Sequence, residues 1–196
     1  MRVTKQSIKN MKRVVPIAIL GMLTFNITGH TEGIDNKANA FANLYLKLCM
    51  KNINDFESLR TQLTNNKLSK FPPEQAALFL RGQQGDAWPI PHQGKLGNFV
   101  LVLPSDKRFC AIHARRADQT EVEQQFTRLV SKAPPPLVSE LKKEEEVETS
   151  KNGRTHTISY AWSLPQANRK ILFTLTTASS ENASLQALGS TAIITE

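Results

Sequence analysis

The chain has 196 residues, 40% of them hydrophobic and 21% charged, with a formal net charge of +8. That length suits one domain with a sizeable core. Residues 1–40 hold six basic and two acidic side chains, so the remainder carries only about +4. Basic pairs at Arg115-Arg116 and Arg169-Lys170 have no interleaved aromatics. A nucleic-acid stacking platform needs them, so no nucleic-acid partner is expected.

Lys5, Lys9, Lys12 and Arg13 precede an apolar run from Val14 to Thr28, the order of an export signal. The run is shorter than the ~20 residues of a bilayer-spanning helix, and Pro16 and Asn26 interrupt it. A cleaved signal peptide over residues 1–40 is therefore favoured over an uncleaved anchor or a buried helix, and membrane contact is expected only transiently, through this segment. Ala38-Asn39-Ala40 is the best small-x-small triplet and predicts a mature chain beginning at Phe41; a cut nearer Gly29 to Gly33 is the alternative. In an oxidising compartment, the two cysteines, Cys49 and Cys110, are expected to form one disulfide.

Helical periodicity runs from Asp35 to Lys51, with Phe41, Leu44, Tyr45, Leu48 and Cys49 on one stripe. A second helix is predicted over Asp55 to Thr64, and a third opens at Pro72-Pro73, carries Ala77, Leu78 and Leu80, and stops before Gly82. Residues 83–91 read as an irregular connection. Within it, Trp88, Pro89, Ile90 and Pro91 form the candidate contact loop for a partner, since binding loops are often irregular and held by a rigid scaffold.

Asn98 to Leu103 is apolar on both faces, as in a central strand, and Arg108 to Arg115 returns as its hairpin partner. Alternation puts Cys110, Ile112 and Ala114 on one face, and Phe109, Ala111 and His113 on the other. Thr120 to Glu123 has a capping-box pattern, opening a helix with Val122, Phe126, Leu129, Val130 and Ala133 on its stripe. Pro134-Pro135-Pro136 ends it. Asn152-Gly153 predicts a hairpin between strands at 145–151 and 154–162. Further strands are expected at 169–177 and 190–195, with 182–189 either a helical turn or a bulged strand start. The charged run Lys142 to Glu148 reads as the exposed end of an edge strand. The predicted class is α+β, a single domain over 41–196. N-terminal helices pack on an antiparallel sheet of about six strands, with one further helix between hairpins.

Chemistry-bearing patterns are sparse. Cys110 and His113 lie three apart on a strand and point to opposite faces, which prevents direct proton sharing. His30, His92, His113 and His156 lack zinc-site spacing, so no metal is expected. Neither a Gly-x-Ser-x-Gly elbow nor a phosphate-cradling glycine loop occurs, and no cofactor is expected. Asp86, Asp106 and Asp118 remain as candidate carboxylates; a hydrolase of cell-wall or peptide substrates would need two of them in one concave pocket.

Cys49 at the end of the first helix, the Phe-Cys-Ala-Ile-His-Ala-Arg-Arg-Ala-Asp stretch at 109–118, the Phe126 helix, Pro134 to Pro136, Tyr160-Ala161-Trp162, and Phe173 to Thr177 leading into Leu185 to Ser190 carry a resemblance. Over residues 38 to 195 the chain resembles a family of small exported proteobacterial proteins without an established activity. The resemblance implies a periplasmic location and the same disulfide, and it brings no catalytic residue. The expected function is a non-catalytic periplasmic domain that binds another envelope protein or serves an envelope assembly, immunity or inhibitor proteins being one form. The alternatives are the hydrolase and a membrane-anchored assembly component with an uncleaved leader.

Overall fold

The structure, a computed structural model, describes residues 32–105, 107–150, 152–180, 182–183 and 185–195, with side chains from residue 37 onward. The basic and apolar leader therefore lies outside the described residues, as do His30 and Asp106. None of the described helices is long and apolar enough to cross a membrane.

Helix α1 spans Glu32–Leu44 and continues into a π-helical turn, Tyr45–Met50. Of the predicted stripe, Phe41, Tyr45 and Cys49 are buried and Leu44 and Leu48 partly so, and Ala38 joins them against the core. The small-residue triplet at 38–40 lies inside this helix. Helix α2, Phe56–Asn65, is capped by Asp55, which accepts from the Ser58 amide at 2.9 Å. Helix α3, Pro73–Leu80, starts on a first-turn proline. Its buried residues are Ala76 and Leu80, whereas Leu78 is 77% exposed. Of the apolar residues Ala77, Leu78 and Leu80 on this helix, only Leu80 is buried. A two-turn helix gives too few apolar positions to fix its phase.

The strands are β1 (Gly85–His92), β2 (Lys95–Pro104), β3 (Phe109–Ala114), β4 (Val138–Thr149), β5 (Gly153–Ser163), β6 (Arg169–Ala178) and β7 (Ala187–Thr195). Helix α4, Gln119–Val130, lies between β3 and β4. The sheet order is β1-β2-β3-β7-β6-β5-β4 and every pairing is antiparallel. Two meanders, β1 to β3 and β4 to β7, thus join along β3 and β7, and α4 carries the chain across to the far edge.

The α+β class is as expected, with seven strands instead of about six. The additional strand is β1, over the segment read as an irregular connection. Prolines 89 and 91 suggested a loop, but β1 is an edge strand, where a missing N–H removes no ladder bond. A second correction concerns β4. It begins at Val138, so the charged run lies along its body rather than at one end. Because β4 is exposed almost throughout, it needs no apolar alternation. Strand β7 likewise begins at Ala187, earlier than position 190.

One sheet face carries Trp88, Phe99, Leu101, Ile112, Phe173 and Leu175, which form the main core with α1, α2 and α4. The opposite face is covered only at its β1–β3 end, where Ala76 and Leu80 of α3 pack on Ala87, Val100, Val102 and Ala111. The Cys49–Cys110 disulfide ties the π-helical turn to β3, with Cα atoms 5.4 Å apart. Beside it, Tyr45 donates to the Ser190 carbonyl and accepts from the Thr191 hydroxyl, both at 2.7 Å. Burial raises the Tyr45 phenol well above its ordinary pKa, more than the Thr191 hydrogen bond lowers it.

Candidate functional site

Asp86 sits on β1 with both carboxylate oxygens engaged. Arg60 Nη1 donates to Oδ2 at 2.6 Å and Lys70 Nζ to Oδ1 at 2.8 Å. Arg60, on α2, also donates to the Leu103 and Pro104 carbonyls and lies 5.9 Å from the Trp88 ring centroid. This arrangement clips α2 to the edge of the sheet. Asp118 caps α4 by accepting from the Glu121 amide at 2.9 Å. The cap is therefore Asp118 and not Thr120, which corrects the predicted capping box. Asp86 aligns with Leu103 at one end of β2, and Asp118 follows β3 beyond Ala114, which pairs with Phe99. About 13 Å of strand separates these two ends of the sheet. Asp86 and Asp118 share no concavity.

The candidate contact segment has a divided placement. Trp88 and Ile90 point into the core at 3% and 7% exposure, whereas Pro89 is half-buried and Pro91 exposed. Only the two prolines and the outer backbone edge of β1 face outward. That edge is partly occupied, since the Phe71 amide donates to the Ala87 carbonyl at 2.8 Å.

Among the histidines, His92 meets Phe99 edge-on with centroids 5.4 Å apart. His156 Nδ1 lies 3.1 Å from Glu123 Oε1, and the same carboxylate accepts from Thr177 and from Gln119. That network joins α4 to β5 and β6. It also explains why Glu123 is not turned back to its own helix start. Among the described residues, no three His, Cys, Asp or Glu side chains are grouped to hold a metal.

His113 is different. It lies on the face of β3 opposite the disulfide, as alternation requires, and is only 8% exposed. Its ring meets Phe79 edge-on at 5.2 Å, and it makes no hydrogen bond to any described residue. Burial, with Arg81 nearby, pushes its pKa down to about 4, so the imidazole is neutral at pH 7.

The imidazole borders a trough beside α3 of about 550 Å³, lined by Phe71, Leu78, Phe79, Val100 and Leu185. A smaller concavity of about 180 Å³ adjoins it around Phe79, Arg81, His113 and Leu188. Arg81 and Arg115 contribute to the lining of the larger one, and among the described residues no carboxylate does. This size falls within the range of ligand clefts, and the lining also includes Asn98, His113 and Asn152. The trough is not legible in the sequence because the exposure of Leu78 depends on the phase of a two-turn helix. The available signal was His113, a polar residue placed by alternation on a face that otherwise holds Phe109 and Ala111.

A separate, more polar concavity of about 570 Å³ lies at the start of α4 near Lys37, Arg116 and Asp118. Among the described residues, its only carboxylate is the capping Asp118. Among known proteins, no family model and no curated relative matches the chain.

Proposed function

We propose that this chain is a non-catalytic, exported domain that binds another protein of the bacterial envelope through the trough beside α3. The observation that carries this reading is Leu78. It is a large apolar side chain, 77% exposed, standing over an apolar depression bordered by Phe71, Phe79 and Leu185. Exposed apolar surface joined to a concavity marks an interaction site more often than a scattered hydrophobic residue does. The side chains best suited to catalysis support the same view. Asp86 holds Arg60 and Lys70, Asp118 caps a helix, and Cys110 is oxidised. An oxidised cysteine pair agrees with the oxidising periplasm that the leader implies. Since Ala38 is fully buried in α1, processing at Gly29 to Gly33 fits the packing better than a cut after Ala40.

The test is affinity capture from envelope extract with three baits: the native protein, Leu78→Asp, and Val138→Asp at the far end of the β4 edge, where Val138 is exposed and pairs with Ser163. The native bait and Val138→Asp are expected to retain one discrete partner that Leu78→Asp loses. Equal capture by all three, or equal loss in both variants, contradicts the assignment of the trough.

A further inference from the structure

The first helix changes its winding where it is tied to the sheet. Phe41, Tyr45 and Cys49 stand four residues apart and are all buried. In an α-helix such positions fall about 40° out of line at each step, so Cys49 would drift about 80° from Phe41. A π-helical turn rotates through less per residue, and the one at Tyr45–Met50 brings Cys49 back into line with Tyr45. Both then reach one place. Cys110 of β3 pairs with Thr191 of β7, and these two take the disulfide and a hydrogen bond with the Tyr45 phenol.

The hydrogen bonds of the turn hold a ready alternative. The Lys51 amide donates to the Leu46 carbonyl at 3.1 Å, five residues back, instead of to Lys47. The carbonyls of Lys47 and Leu48 accept from Asn52 Nδ2 at 2.9 and 3.1 Å. In an α-helix the backbone amides of Lys51 and Asn52 would occupy those two carbonyls. Upstream, the rings of Phe41 and Tyr45 lie close against Gly189 and fix the helix there. Downstream, the covalent bond sets the rotation of Cys49.

We propose that the disulfide makes this turn a redox-sensitive joint: with Cys49 and Cys110 as thiols, residues 45–50 wind as an α-helix and Asn52 leaves the Lys47 and Leu48 carbonyls. A small dithiol supplies the two electrons and two protons, its own sulfurs closing to a disulfide as the Cys49–Cys110 bond opens to two thiols. Both cysteines are buried, so the exchange follows local opening of the turn. The rewinding is passed on at Asn52, whose carbonyl accepts from the amide of Asp55, the cap of α2.

The test is nuclear magnetic resonance of the full chain, oxidised and then reduced with dithiothreitol under native conditions. The readout is the scalar coupling across the hydrogen bond of the Lys51 amide. In the oxidised protein it is expected to connect to the Leu46 carbonyl, and after reduction to shift to that of Lys47. Oxidised Asn52→Ala is expected to keep the Leu46 coupling, since the disulfide alone holds the turn. A Leu46 coupling that survives reduction overturns the proposal, as does its loss in oxidised Asn52→Ala. No coupling to either carbonyl after reduction, whether from fraying or from loss of the fold, overturns it as well, because a joint needs two ordered forms.

Discussion

His113 and Arg60 show how differently two polar residues are accommodated in this fold. Arg60 is enclosed by acceptors: Glu57, Asp86 and two backbone carbonyls. His113 is enclosed by Phe79 and apolar strand residues, and is held neutral there. The consequence for stability has a definite sign. Between pH 6.5 and about 4 the unfolded chain binds a proton at this histidine and the folded chain does not. His113 therefore lowers stability progressively as pH falls through that window, by about 3 kcal/mol across its width, with no effect above it. Denaturant titrations from pH 7 to 4 are expected to show a stability loss in the native protein that His113→Leu makes shallower by that amount. An unchanged slope in the variant would show that the histidine is not protected from protons in the fold.

At the scale of elements, β7 packs closely against Phe41 of α1 and Tyr45 of the π-helical turn. A Cβ at Gly189 would stand 2.7 Å from Phe41 Cζ and 3.2 Å from Tyr45 Cδ2. Phe41 and Tyr45 stack with centroids 6.1 Å apart, and Tyr45 also meets Phe126 of α4. These rings have little room to move. Gly189→Ala is expected to destabilise by about 1–3 kcal/mol, read as a lower melting temperature with an unchanged disulfide. What the sequence reveals at this scale follows the strength of local signals. The Asn152-Gly153 hairpin and the faces of β3 are legible because turn chemistry and alternation act locally. β1 and the first half of β4 are not, since both are edge strands. One tolerates prolines and the other is charged at seven of its twelve positions, so neither shows the alternation of a half-buried strand. The trough was hidden for a related reason: it depends on the phase of a two-turn helix and on a face of the sheet left open beyond α3.

For the whole molecule, the disulfide is the link that local patterns cannot supply, because it joins positions 61 residues apart. It fastens the helical layer to β3, in the middle of the sheet. In the chain-entropy view, closing a loop of this size stabilises the fold by about 4 kcal/mol. Reduction under native conditions is accordingly expected to shift the denaturant midpoint to markedly lower concentration; an unchanged midpoint would contradict a stapling role. The same architecture leaves the outward half of α3 and the trough as the open, apolar part of a scaffold fixed from behind by α1, α2 and α4. Site-specific photo-cross-linking in intact cells, with benzoylphenylalanine placed at Leu78 or at Val138, at the far end of β4, tests that assignment most directly. The account predicts a discrete adduct of defined mass from position 78 and none from position 138. No adduct from position 78, or the same adduct from both positions, would contradict it.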